Sequence, residues 1–323
     1  MREAEVIIVG GGPAGSSCAW RLQREGVDCL LLDKERFPRT KLCAGWITPQ
    51  VVADLELDVA SYPHRFLTFE RLLFHFPWLG LRPRTVQHSI RRYEFDAWLL
   101  QRSGAPVEQH RVRDIREQDG HYLIDGRYRC RYLVGAGGTR CPVYRQLFRD
   151  PSPRAKRKQV VTLELEFPCD YRDPRCHLWF FDHGLPGYSW YVPKADGYLN
   201  IGVGGFASRL KERNDDIKAH WQHLVGKLER KGLLQKQDLN PGGYSYYVRG
   251  RPATTRLGNA FIAGDAAGLA TKDMAEGIGP AVRSGLRAAD AIARGTDYDL
   301  DGIERRSFDR RRLLLSALLQ RRY

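Results

Sequence analysis

The chain has no apolar run long enough to cross a bilayer, and no signal-peptide core precedes its first strand-like segment. These absences make a cytoplasmic protein the expectation. Its seven cysteines (Cys18, Cys29, Cys43, Cys130, Cys141, Cys169, Cys176) are scattered and include no Cys-x-x-Cys pair, which argues against a disulfide or zinc framework; no metal site is expected. No internal repeat, zinc-finger, RNP or helix-turn-helix pattern is present, and the basic residues are spread along the chain rather than set on one helix, so nucleic acid is not an expected partner. Acidic residues are in the minority, 38 against 52 Lys plus Arg, for a net charge of +14. Such a balance suits a solvated basic surface or attraction to an anionic membrane.

What is present begins at the N-terminus. Val6 to Val9 is an apolar run leading into Gly10, Gly12 and Gly15 in Gly-x-Gly-x-x-Gly spacing, with Pro13 and Ala14 between. The first glycine permits a tight turn, the second lets backbone approach a pyrophosphate, and the third lets the following helix pack on the strand. Ser16 to Glu25 reads as that helix, Gly26 closes it, and a second strand ends at Asp33. An acid about 20 residues beyond the glycines accepts from ribose hydroxyls. The residues alone therefore predict an adenine dinucleotide, FAD or NAD.

Further along, Thr48-Pro49 opens a short helix, and residues 62–90 alternate aromatic, apolar and basic side chains like strands of another layer. A helix over Arg92–Leu100, a strand near Val107–Ile115, a hairpin over Gly120–Arg129 and a strand from Tyr132 complete the first sheet. After a basic linker at 151–158, Val160–Phe167, His177–Phe181, Tyr188–Val192 and Tyr198–Val203 alternate like antiparallel strands. A helix is expected to about Lys231, capped by Asn214 or Asp215. The last organised block is Gly264-Asp265-Ala266 followed by a glycine-bearing helix through Ala293. The tail sets Leu313–Leu319 between Arg310–Arg312 and Arg321-Arg322.

The fingerprint, Arg92-x-x-Phe95-Asp96, Gly135-Ala136-Gly137-Gly138 and Gly264-Asp265-Ala266, in this order, resemble the FAD-dependent oxidoreductases of the p-hydroxybenzoate hydroxylase fold. Lys41-Leu42-Cys43-Ala44-Gly45 and Tyr188-Ser189-Trp190-Tyr191-Val192-Pro193-Lys194 are similar to the geranylgeranyl reductase branch, which reduces carbon–carbon double bonds of polyprenyl chains. The resemblance implies an α/β chain with a Rossmann-type FAD-binding domain (1–60, 91–153 and 254–295), an antiparallel-sheet substrate domain (61–90 and 154–253) and a C-terminal helical tail (296–323).

It further implies FAD contacts from Gly10, Gly12, Pro13, Ala14, Gly15, Asp33, Lys34, Lys41, Cys43, Ala44, Arg92, Val112, Gly264, Asp265, Gly277 and Ile278. Arg92 would serve the ribityl-phosphate region, the Val112 backbone the adenine, Asp265 the hydroxyls at the cofactor's centre, and the helix start at Gly277-Ile278 the flavin's N1–C2=O edge. Cys43 is the catalytic candidate, with Lys41, Arg39 and Arg36 favouring its thiolate. Tyr188 and Trp190, two apart on a strand, face one side and would line a tunnel for a hydrophobic or lipid substrate. Gly137 stands where the family usually has Asp, so the electron donor is left unassigned. Two other functions stay open: a flavin monooxygenase or halogenase, which Trp190-x-Val192-Pro193 resembles although no Gly-Glu-Ser loop follows the second strand, and a non-catalytic flavin-binding redox or assembly protein. The charge and the leucine-rich tail suggest peripheral attachment to an anionic membrane.

Overall fold

The computed structural model describes residues 1–250 and 254–308. In chain order the elements that carry the argument are β1 (Arg2–Val9), α1 (Pro13–Arg24), β2 (Cys29–Asp33), β3 (Leu67–Phe76), β4 (Tyr128–Gly135), β5 (Gln159–Pro168), β6 (Cys176–Phe180), β7 (Gly187–Lys194), β8 (Tyr198–Phe206), α2 (Ile217–Arg230) and α3 (Ile278–Arg294). They divide between two compact units. The first comprises residues 1–40, 93–155 and 247–305; the second comprises 41–92 and 156–246, with 306–308. Residues 41–60 thus cluster with the second unit rather than with the fingerprint.

In the first unit, Val6–Val9 and Leu30–Leu32 are buried on both faces, which their unbroken apolar runs require of central parallel strands. The sheet runs Arg256–Leu257, Ala260–Ile262, β4, β1, β2, Val107–Gln109, and β1 pairs in parallel with both β2 and β4. Ala14, Cys18 and Leu22 of α1 pack with Ala281, Ala288 and Ile292 of α3 over one face; Val112, Ile124, Tyr144 and Phe148 fill the other. The strand expected over Val107–Ile115 is broken into Val107–Gln109 and Ile115–Gln118. The Asp125 carboxylate is the cause, because it draws the Arg113 and Asp114 N–H groups and the His110 ring out of any ladder.

The second unit is built on one sheet in the order Gly242–Tyr247, β5, β8, β7, β6, β3, Arg84–Ser89, Trp46–Ile47. Its neighbours are antiparallel from β5 to β6, while β6 meets β3 in parallel. Trp221, Leu224 and Leu228 form the apolar stripe of α2 and pack on Tyr191, Ile201 and Val203, together with Leu163 and Leu165. The cap of α2 is Asp216, whose carboxylate accepts from the Lys218 N–H at 3.0 Å, and not Asn214 or Asp215. Thr48 caps its short helix as expected, accepting from Val51 N–H. Of the tail, residues 296–308 form turns and bends with Leu300 and Ile303 buried; the helix expected around Leu313–Leu319 lies outside the described residues.

Candidate functional site

In the first unit the glycine fingerprint forms the turn its spacing predicts. Gly10 has φ +112°, and a Cβ there would lie 2.5 Å from the Ala136 carbonyl oxygen. Gly12 is the N-cap of α1 and no side chain caps that end, so the helix offers backbone N–H groups and its positive dipole end to an anion. Gly12 faces open space except for an Arg39 guanidinium nitrogen 3.5 Å from where its Cβ would stand, and Arg39 is held by Asp96 at 3.2 Å. A cradle without side chains, a bare helix start and a fixed guanidinium fit a pyrophosphate. Arg39, expected to favour the Cys43 thiolate, stands here beside Gly12.

Asp33 is buried, and each of its oxygens already accepts a backbone N–H, Oδ2 from Gly11 at 2.7 Å and Oδ1 from Glu35 at 2.9 Å. Each oxygen keeps a lone pair for a ribose hydroxyl. Lys34 is exposed and turns to Glu35, whereas Arg92 and Val112 are buried.

The Gly264 block and the start of α3 meet. A Cβ at Gly264 would lie 3.2 Å from that of Ala14, and one at Gly277 would lie 3.4 Å from Asp265 Oδ1, so Asp265 stands between the fingerprint helix and the α3 N-terminus. The α3 amides, however, are not bare. Glu276 Oε1 accepts from the Gly279 N–H at 2.7 Å, and Ile278 N–H also turns to this carboxyl. Burial raises Glu276 to about 7 against the pull of those N–H groups and of Arg283. An acid immediately before a glycine N-cap reaches back over the helix start, a signal the sequence carries and the flavin assignment overlooked. Arg154 ties the neighbouring turns together, donating to the carbonyls of Thr139, Asp265 and Ala266.

In the second unit the Cys43 loop is suspended from two buried side chains. Lys194, fully buried at the end of β7, donates Nζ to the carbonyls of Ala44, Gly45 and Ile90, the last at 2.9 Å. Asn200 of β8 donates Nδ2 to the Cys43 carbonyl at 3.3 Å and accepts the Trp190 Nε1–H at 2.7 Å. Lys194 and Asn200 therefore bring Cys43, Ala44 and Trp190 together. The Cys43 thiol accepts from Gly45 N–H at 3.3 Å. Of the three bases expected to favour its thiolate, Arg36 donates to Gln109, Arg39 pairs with Asp96, and Lys41 lies over the Tyr244 ring. Among the other cysteines, burial pushes the thiols of Cys18, Cys130, Cys141 and Cys176 up, which leaves them inert.

Tyr188 and Trp190 share the sheet face opposite α2. Side chains on that face run in rows across the strands. One row joins Phe74, Leu178, Trp190, Gly202 and Glu164; the next joins Phe76, Phe180, Tyr188, Gly204 and Thr162. The Trp190 ring lies over Gly202, where a Cβ would come within 2.2 Å of the indole, hence the glycine. Ring centroids step from Phe76 to Phe180 (4.8 Å), to Tyr188 (5.3 Å) and to Trp190 (5.7 Å). Gly202, Gly204 and this aromatic run make a smooth, largely apolar surface with one buried carboxyl, Glu164, at its edge.

Comparison with known proteins agrees with this geometry. Residues 5–98 match the family model for FAD dependent oxidoreductases. The menaquinone reductase of Mycolicibacterium smegmatis is 29% identical over 91% of this chain and 78% of its own length; digeranylgeranylglycerophospholipid reductase 1 of Methanopyrus kandleri is 25% identical over 89% and 77%. A geranylgeranyl bacteriochlorophyll reductase-like protein from Thermoplasma acidophilum shares the fold at TM-score 0.77 and 18% identity, covering 100% of this chain and 84% of that one. A flavin-dependent halogenase shares it at TM-score 0.73 and 18% identity, over 99% and 62%. Fold and fingerprint together define the class: this is an FAD-dependent oxidoreductase, and FAD is its cofactor. Within that class the chain is similar to the geranylgeranyl reductases.

Proposed function

We propose that this enzyme reduces carbon–carbon double bonds of a polyprenyl or other lipid-like substrate. The observation that carries the reading is the aromatic and glycine face of the second unit's sheet, where ring centroids run from Phe76 to Trp190 in steps of 4.8 to 5.7 Å, an apolar lining suited to an isoprenoid chain. Bound FAD, once reduced, supplies a hydride from N5. The chain's own residues do the rest: Gly10, Gly12, Arg39 and Asp33 hold the dinucleotide end, Gly264 and Asp265 its centre, and the Lys194 and Asn200 suspension fixes the Cys43 loop.

The test is anaerobic: photoreduced holoenzyme is mixed with geranylgeranyl diphosphate or an unsaturated menaquinone, and flavin reoxidation is followed together with product mass. Reoxidation with gain of two hydrogens per double bond supports the reading. Reoxidation only by oxygen, with hydroxylation or halide incorporation, assigns the chain to the monooxygenases and halogenases that share its fold. Bound FAD that no acceptor oxidises leaves a flavin carrier. In the same assay Cys43→Ala should retain FAD and lose more than about tenfold in reductive turnover, about 1.4 kcal/mol of barrier, since only the loop backbone, not the thiol, is tied to Asn200 and Lys194. Unchanged kinetics would make the thiol structural.

A polyprenyl substrate resides in membranes, and the second unit presents a surface suited to one. No helix among the described residues is long and apolar enough to span a bilayer. Trp78 at the tip of the hairpin after β3 is 80% exposed, beside exposed Leu79. Arg71 and Arg84, also exposed, stand directly opposite each other in the ladder, an unfavourable like-charge pair that an anionic headgroup relieves. Exchanging both arginines for glutamine should weaken cosedimentation with phosphatidylserine vesicles about thirtyfold, at about 1 kcal/mol each, and salt should mimic the effect. Truncation after Phe308 separates this surface from the leucine tail: if only truncation abolishes binding, the tail is the anchor.

A further inference from the structure

The proposed reaction needs a proton, and the aromatic face of the second unit's sheet carries one buried carboxyl. Glu164 sits on β5 directly opposite Gly202, in the row that ends at Trp190, so its side chain projects to the aromatic face and not into the α2 core. It is 2% exposed. Asn200 serves the carboxyl, yet Oε2 has no hydrogen-bond partner among the described residues. A buried carboxyl oxygen without a partner calls for an explanation, and a proton donor awaiting its acceptor supplies one. The groups around it set its acidity. Lys41 from the loop before Cys43 and Lys194 from β7 favour the carboxylate, Asn200 from β8 does so by its hydrogen bond, and Glu166 on the same strand opposes it. Burial outweighs them and raises Glu164 to about 7, near the value at which an acid both holds and releases its proton at neutral pH.

We propose that Glu164 is the acid that protonates the alkene, an assignment that rests on the reductase reading above. One alkene carbon receives the hydride supplied by reduced FAD. The other receives the proton of Glu164 Oε2. The C=C π bond is thereby replaced by two C–H bonds, two electrons pass to the alkene with the hydride, FAD is left oxidised, and the Glu164 carboxylate recovers its proton from water. Lys41 and Lys194 stabilise the carboxylate until it is reprotonated.

Glu164→Gln keeps the shape and the hydrogen bond to Asn200 while removing the acidic proton. In anaerobic single turnovers with geranylgeranyl diphosphate, the holoenzyme variant should reoxidise its flavin at least about 100-fold more slowly, with FAD retention and substrate affinity unchanged. The wild-type rate should fall as pH rises through about 7 and the variant's should not. Two readouts are independent of turnover. The infrared carbonyl band of a protonated, buried carboxyl should titrate near 7 and vanish in Glu164→Gln. The folded carboxyl binds its proton more tightly than the unfolded one, at about 7 against 4.5, so its contribution to stability is full below 4.5 and lost by about 7. The melting temperature of wild type relative to the variant should therefore decline across that window. Equal single-turnover rates, or a carboxyl ionised throughout the pH range, overturn the assignment. A wild type that reduces no alkene overturns the reductase reading itself, and the role of Glu164 with it. That outcome differs from a wild type that turns over and a variant that equals it.

Discussion

Gly15→Ala should yield a chain that loses FAD on gel filtration and unfolds at much lower urea, whereas Gly26→Ala, eleven residues on, should keep FAD and lose only about 1–2 kcal/mol of stability. Gly15 lies in the first turn of α1 and Gly26 just past its end, and they differ in what a methyl would meet. At Gly15 a Cβ falls 1.8 Å from the Gly10 carbonyl oxygen and 3.2 Å from Ile8 Cγ2. The first obstacle is backbone of the cofactor turn, so relief requires that α1 or the turn itself move. At Gly26 nothing lies within 4 Å, and only the left-handed φ of +71° resists. Overpacking against backbone costs about 3 kcal/mol or more, against roughly 1–2 kcal/mol for the left-handed strain. Gly285 presses on the same helix from α3, with its Cβ position 2.1 Å from the Ala14 carbonyl oxygen, so Gly285→Ala should resemble Gly15→Ala. Similar losses at Gly15 and Gly26 would show that the close contact of helix and turn is not what the geometry says.

That contrast also explains why the first unit was legible. A glycine fingerprint describes a local turn, and the apolar runs on either side describe buried strands, so sequence neighbours specify the structure. Legibility failed where a polar side chain had a choice of backbone to serve. Asn214, Asp215 and Asp216 are all competent helix caps, but Asp215 is engaged by the His220 ring at 2.8 Å and Asn214 adopts φ +51°, leaving Asp216. Asp125 broke an expected strand from eleven residues away. Glu276 turns its carboxyl onto the Gly279 N–H at the start of α3. The second unit's site was hidden for a different reason. The alternation of β5, with Leu163, Leu165 and Phe167 on one face and Thr162, Glu164 and Glu166 on the other, is plain in the sequence. What leaves the second face as the candidate one is that α2 covers the first, and that pairing joins residues more than fifty positions apart.

Lys194 is the residue on which the second unit's candidate site most depends, and its replacement by methionine should have the larger consequence. A lysine with no exposed surface is held because each of its three donors finds a carbonyl, at Ala44, Gly45 and Ile90. Burial lowers its pKa, and Glu166, the Cys43 thiol, Cys176 and Glu164 oppose that shift. Lys194→Met keeps most of the apolar stem but strands three carbonyls and removes the buried cation beside Glu164, while Glu166 keeps Arg91 at 2.9 Å. Removing one partner from a buried charged cluster costs about 3–5 kcal/mol. The loss should be uneven. Urea unfolding will report the whole penalty, while amide exchange at Ala44 and Gly45 will accelerate before the β5 to β8 ladder opens, because the loop loses its suspension and the strands keep theirs. FAD affinity should fall as well if Ala44 and Cys43 contact the cofactor. Lys194→Arg will not rescue, since the Nζ position is already in tight contact with Gly45, whose Cβ would lie 2.6 Å away, and a guanidinium needs more room. A Lys194→Met protein with wild-type exchange at 44 and 45 would mean that the loop is held by its own turn and not by the lysine beneath it.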